Sequence, residues 1–534
     1  MFDVLIKNGL IADGTGAPAF KGDLAVKDGV IAAVAPHLDG EAKEVLDAEG
    51  LVVAPGFIDN HSHSDDSVFS GSNSYNYLES GVTTQIAGQC GSSPAPYYEG
   101  AFASAERRLP AEEFRAMVET ARTPGTFMKA AENQTFGTNM AFFIGHGALR
   151  GKAMGYSDAK ATPEQMDIMK EALVNAMESG YLGLSSGLVY APSVYGDTEE
   201  LIELAKVMKP YGGIYASHIR GEGDHVLRSV QEAIRIGEEA GVRVLISHLK
   251  VMGLHNEGMS VKLLDEIDRA NARGVEVYAD QYPYMAGSAP MSSQIPAKYL
   301  VGGIPKLLER LESRELRQQM LYSIFHEADE FESNIYSAGF DNCLIAEADL
   351  TPQYVNKTIG QIAKDENKEP IDVLAELLIA NKGTMQGIYF NQSPTDLIRI
   401  MRHPRVFCGS DWSDYPDEKV SYEQVGGGHP RATATMVRRL ELVRDFRLRS
   451  LEESVKNLTY DTAKAMNLKN IGQLKEGWKA DVCVFDYDRL HANADYSHPY
   501  RKSTGIQWVL VSGKVAVRDG EAVGVRGGSV LKRS

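Results

Sequence analysis

The stretch GIYASHIRGEGDHVLRSVQEAIRIGEEAGVRVLISH, residues 213–248, reads as a strand, a helix and a second strand. Its two flanks, 213–217 and 242–247, are short apolar runs rich in β-branched and aromatic residues, as buried strands are. Between them, 224–241 carries apolar residues at helical spacing and stops at Gly241. Two strands joined through a helix lie parallel in one sheet. Working outward, the same rhythm predicts strands at 51–58, 82–87, 141–145, 182–189, 275–279 and 405–408, eight in all. The segment ATPEQMDIMKEALVNAMESG (161–180) predicts a further helix, with Thr162 as cap, Pro163 in the first turn and Gly180 as stop. Eight strand–helix units predict an α/β protein built on a closed (β/α)8, TIM-like barrel. The alternative, a doubly wound open sheet, has no Gly-rich nucleotide loop to support it.

The chain ends have another texture. Residues 1–54 and 470–534 are short strands and tight turns, exemplified by GDLAVKDGVIAAVA and IQWVLVSGKVAVRDG. Both are expected to build one small β-sandwich beside a barrel spanning 55–469. The stretch 287–404 is too long for one connecting loop. It predicts an inserted subdomain at about 287–385, followed by the seventh barrel helix.

Composition sets limits on partners. A formal net charge of −17 argues against nucleic acid and anionic membrane, and no apolar run is long enough to span a bilayer. The opening MFDVLIKNG lacks the features of a signal peptide. Cys90, Cys343, Cys408 and Cys483 are irregularly spaced, which fits a reducing cytoplasm better than a disulfide framework. A small anionic substrate would need local cations against this background; the sequence does not define an oligomeric state.

Polar residues follow the predicted strands at matching places. His61 and His63 in GFIDNHSHSDD follow the first strand, and i and i+2 share one face of an extended chain. Cys90, His218, His248 and Asp411 follow the second, fifth, sixth and eighth. All six fall at the C-terminal rim, where barrels of this kind place their active sites. Imidazole, thiolate and carboxylate are zinc's preferred donors, so the six together read as one metal centre. Asp411 is the only acid among them and hence the candidate for moving protons.

These pieces, with GVTTQIAGQCGSSPAP, GLSSGLVYAP, CGSDW and GQLKEGWKADVCVFD, resemble the amidohydrolase superfamily, and within it the D-aminoacylases (N-acyl-D-amino-acid deacylases). The resemblance runs nearly end to end. The fourth strand, LGLSSGLVY, lacks the lysine that bridges two metals in many superfamily members; a cysteine serves instead in the D-aminoacylases. The resemblance implies a tightly held zinc on Cys90, His218 and His248, with a second, weaker position at His61, His63 and Asp411. It implies hydrolysis of the amide of N-acyl-D-amino acids, with Asp411 as general base and acid.

The α-carboxylate of such a substrate needs partners. Lys250 lies two residues past His248 and so on the same side; Tyr190 ends the fourth strand and Tyr282 follows the seventh. Arg431 stands in GGHPRAT, in the HPR context that the resemblance ties to carboxylate binding. The segment 412–428 before it is longer than the family pattern. His146, ending the third strand, is a candidate for the oxyanion or the leaving group. Two other activities fit the same residues: a dipeptidase cutting before a D-residue and a cyclic-amide hydrolase. A metal-free scaffold role would go with lost ligands, and here the set is complete.

Overall fold

The computed structural model describes residues 1–328, 331–414 and 427–533. Residues 415–426, most of the long segment before the HPR motif, lie outside them. Eight strands follow one another in chain order: β1 (Phe57–Asp59), β2 (Val82–Ala87), β3 (Asn139–Phe142, continued by Ile144–Gly145), β4 (Gly183–Gly187), β5 (Ile214–His218), β6 (Arg243–Ile246), β7 (Val277–Gln281) and β8 (Val406–Cys408). Each pairs in parallel with the next. The ring closes between β8 and β1, where the Asn60 amide donates to the Cys408 carbonyl at 3.1 Å and Ser62 bridges Trp412 in parallel.

Both faces of the ring are buried. Ile58, Ile86, Phe143, Leu182, Ile214, Ala216, Leu245 and Phe407 share the interior cluster. Their neighbours Phe142, Leu184, Tyr215, Val244 and Val277 pack outward against Leu173, Leu201, Ile234 and Leu263 of the helices. Burial on both faces explains why these strands read as unbroken apolar runs rather than alternating ones.

The helix at Pro163–Ser179 has the expected ends: the Thr162 hydroxyl accepts from the Gln165 amide, and Gly180 turns left-handed at φ 100°. The helix expected from 224 begins instead at Val226. The amide of His225 is bound by Glu332 at 2.6 Å and the Asp224 carboxylate by His255 and Asn256, so both residues are held in the preceding loop.

The run 51–58, expected as one strand, is two. Val52–Pro55 belongs to a different sheet from β1, and the chain changes direction at Gly56, where a Cβ would stand 2.2 Å from the Thr83 side chain. Val52–Pro55 lies between Phe2–Ile11 and Val482–Phe485, joining strands from both chain ends into one nine-stranded sheet. One face gathers Val4, Ile6, Leu24, Val26, Val482 and Leu510. The other packs Cys483, Phe485, Val509 and Val511 on Phe57, Val82, Met436 and Leu440 of the barrel. Between β7 and β8, Ala286–Pro290, Gln386–Phe390 and Cys343–Glu347 form a three-stranded antiparallel sheet. Among the described residues five helices pack around it through Leu307, Met320, Ile335, Ile362 and Leu374. No helix among the described residues is long and apolar enough to cross a membrane.

Candidate metal centre

The six rim residues converge on one point. The Cys90 sulfur lies 3.3 Å from His61 Nε2, 3.4 Å from His248 Nε2 and 3.7 Å from His218 Nδ1. Asp411 Oδ1 is 3.0 Å from His63 Nε2 and 3.5 Å from His61 Nε2. The donors fall into two groups that share the sulfur: Cys90, His218 and His248, and Cys90, His61, His63 and Asp411. A thiolate and an imidazole on one tetrahedral zinc stand roughly 3.5 Å apart, given their bond lengths. The observed sulfur–nitrogen distances bracket that value.

Holding them there strains the backbone. Cys90 (φ 53°), His248 (φ 35°) and Asp411 (φ 54°) are all left-handed, a conformation that costs about 1–3 kcal/mol at a non-glycine residue. Each follows a strand and must fold back toward the barrel axis. Glycine makes the Cys90 turn feasible: a Cβ at Gly88 would stand 2.0 Å from the Phe143 carbonyl, and one at Gly187 2.0 Å from that of Cys90.

The electrostatics of the centre favour a deprotonated sulfur, the form that binds metal. Burial opposes ionisation of Cys90, yet the adjacent His61 and His248 bring its thiol well below the ordinary value. Burial likewise opposes charge on His63, but Asp411 and Cys90 raise it to about 9; Asp280 and Cys90 raise His61. A buried thiolate and carboxylate thus keep protons on imidazoles, and a divalent metal would displace those protons from the ring nitrogens. Thiolate and imidazole donors suit zinc.

Three carboxylates behind the donors were not singled out from the sequence. Glu222 lies 3.0 Å from His248 Nδ1 and 3.6 Å from His218 Nε2, the nitrogens facing away from Cys90. Asp280 accepts from the His248 amide at 2.7 Å and stands 3.3 Å from His61 Nδ1. Asp59 accepts from the amides of His61 and Ser410 at 3.0 and 2.9 Å. The available signals were an acid between two glycines four residues past a candidate ligand, GEG, and acids at the C-terminal ends of β1 and β7, last and next-to-last in their strands. Carboxylates behind metal-bound imidazoles fix ring orientation, and losing one typically costs about 10–100-fold in metal affinity. Glu222→Gln is therefore expected to raise the zinc dissociation constant at least about tenfold, read by competition with a chelating dye.

A cavity of ≈ 1210 Å³ opens on the centre, lined by His63, Cys90, Tyr190, Asp411 and Arg431 among others. Arg431 is buried, with Nη1 2.8 Å from Asp411 Oδ2 and Nη2 donating to the Ser288 carbonyl at 3.3 Å. Its guanidinium lies over Tyr282 and Trp412. Tyr190 packs edge-on against His218. Lys250 is placed differently from the expectation of a free carboxylate clamp. Its ammonium is buried against Glu222, which balances its charge, and stands 2.9 Å from His248 Nδ1 in a pocket it lines with Tyr282 and Asp411. His146 is also placed differently. Its nitrogens are occupied by Ser193 and Glu200, both at 2.8 Å, and it is not among the residues lining the cavity. An imidazole engaged on both sides has no free group for an oxyanion or leaving group. Arg220 pairs with Glu232.

The chain is similar to known proteins along its whole length. The amidohydrolase family model matches residues 44–257 and 390–517. D-aminoacylase of Alcaligenes xylosoxydans xylosoxydans is 32% identical, over 100% of this chain and 98% of that protein. The N-acyl-D-glutamate deacylase of the same organism is 30% identical, over 99% and 96%. The solved structure of N-acyl-D-glutamate deacylase from Bordetella bronchiseptica, complexed with zinc and a phosphonate inhibitor, superimposes with a TM-score of 0.79 at 30% identity, covering 100% of both chains. With a matching family model over most of its length and relatives of this identity from end to end, the chain belongs to the amidohydrolase family, in its D-aminoacylase branch.

Proposed function

We propose that this protein is a zinc-dependent hydrolase that cleaves the amide bond of N-acyl-D-amino acids, releasing a carboxylate and a free D-amino acid. The observation that carries the reading is the shared sulfur of Cys90, which joins both donor groups on the floor of a cavity where a buried arginine stands beside a buried carboxylate. Cys90, His218 and His248 would hold the tighter zinc, because a thiolate with two imidazoles is a softer set than two imidazoles with a carboxylate. His61, His63 and Asp411 would hold a weaker one. Bound zinc supplies Lewis acidity toward the amide carbonyl and acidifies water.

The chain's own residues do the rest. Asp411, held between His63 and Arg431, takes a proton from the attacking water and passes it to the departing nitrogen. Without that transfer the amine is a poorer leaving group than hydroxide. Arg431 receives the substrate α-carboxylate; among the described residues its Nε has no hydrogen-bond acceptor. Tyr190 and Tyr282 wall that position. Lys250 acts at one remove, through Glu222 and His248, as a positioning residue. A cytoplasmic location is supported by the four buried, unpaired cysteines.

The test is a panel of N-acetyl-D-amino acids, their L-forms and L,D-dipeptides, with zinc content measured alongside. D-forms are expected to turn over and L-forms not; preference for a dipeptide would assign a dipeptidase. Amidating the α-carboxylate is expected to lower kcat/KM roughly tenfold to a hundredfold, the scale of a lost charge-assisted hydrogen bond. Arg431→Met should shrink the difference between acid and amide. Equal turnover of acid and amide by the wild type would refute the carboxylate role of Arg431.

A further inference from the structure

The relatives do not say which D-side chain is accepted, since identity to the D-aminoacylase, 32%, and to the N-acyl-D-glutamate deacylase, 30%, is nearly the same. The cavity wall is more informative. Among the described residues lining it are seven carboxylates and a single lysine or arginine, Arg431, which lies beside Asp411. Lys250 lines the adjoining pocket at the metal centre, but it is already paired with Glu222, so among the described residues a second substrate carboxylate finds no unpaired cation on this wall.

One of those carboxylates is placed to read a side chain. Glu347 ends the third strand of the sheet inserted between β7 and β8, opposite Gln386, which in turn pairs with Pro290. Ser288, in the same strand as Pro290, gives its carbonyl to Arg431. The anchor for the α-carboxylate and Glu347 therefore share one wall. They are separated by about two residues along a strand and two strands across, roughly 7 Å by 10 Å between backbones. Side chain and α-carboxylate leave the same carbon, so a D-side chain explores this wall first. Pro290, Leu300 and Ile304 line the same cavity. Among the described residues the Glu347 carboxylate has no hydrogen-bond or ion-pair partner, and burial next to Asp349 raises its pKa. An aliphatic surface leading to an unpaired carboxylate suits an apolar stem with a cationic head.

We infer that the preferred substrates are N-acyl-D-amino acids with a cationic side chain of lysine or arginine length, whose head pairs with Glu347. The inference rests on the hydrolase reading above. It is tested with the zinc-loaded full chain on N-acetyl-D-lysine, its neutral counterpart N-acetyl-D-norleucine, and N-acetyl-D-glutamate. The lysine compound is expected to exceed norleucine in kcat/KM at least about tenfold, with glutamate the poorest of the three. Glu347→Gln should bring the lysine-to-norleucine ratio toward one, and Glu347→Lys should turn the preference toward glutamate. Calorimetry with the free amino acids gives a readout apart from turnover, with D-lysine binding more tightly than D-norleucine. Turnover of N-acetyl-D-norleucine with no lysine preference, or a ratio unmoved in Glu347→Gln, overturns the side-chain assignment alone. No turnover of any of the three, with zinc bound, overturns the hydrolase reading and this inference with it.

Discussion

Replacing Cys90 with alanine is expected to remove most of the bound zinc and nearly all turnover. Its sulfur is the only thiolate at the centre and belongs to both donor groups, so the substitution weakens two positions at once. A single misplaced outer carboxylate costs about 10–100-fold in metal affinity, and losing a direct donor should cost more. The change deletes one atom from a buried site held by Gly88, Gly91 and the Phe143 carbonyl, so the barrel should persist. Atomic emission for zinc, a thermal melt and kcat on an N-acetyl-D-amino acid settle it together. A folded Cys90→Ala protein retaining wild-type zinc and turnover would sink the assignment of the centre.

Asp411→Asn should separate proton transfer from metal binding. The amide has the shape of the carboxylate but cannot accept a proton from water or hand one to the leaving nitrogen. A lost general acid–base group typically costs 10²–10⁴ in rate, so kcat should fall at least about a hundredfold, roughly 2.7 kcal/mol in the barrier. The tighter donor group, Cys90, His218 and His248, does not include this residue, so most zinc should remain. Near-normal kcat would make Asp411 a partner of Arg431 and His63 with no part in the chemistry. Loss of all zinc would show that the two donor groups are not separable.

How much was legible beforehand depended on how local the cause was. The helix Pro163–Ser179 could be read at both ends because its cap and its stop are its own neighbours, Thr162 and Gly180. The start at Val226 could not, because it is set by Glu332, more than a hundred residues away. The split at Gly56 was hidden for a similar reason: the apolar run continues through it, and the constraint comes from Thr83 on the next strand. Lys250 shows the limit of strand alternation. Its side is given by its position relative to His248, but whether its charge stays free depends on Glu222, which a separate loop brings against it.

By itself the sequence determined the eight strand–helix units, the appearance of a donor residue after five of the strands, and the choice of donor chemistry. All of these follow from side-chain type and short-range spacing, which the chain carries before it folds. Tertiary structure alone decided which carboxylates orient the imidazoles, that His146 is taken by Ser193 and Glu200, and that Lys250 is paired with Glu222 while Arg431 lies beside Asp411. Those outcomes turn on hydrogen bonds and ion pairs between loops distant in sequence. A buried charged group is stable only with a partner close by, and which partner arrives is settled when the ring of strands closes.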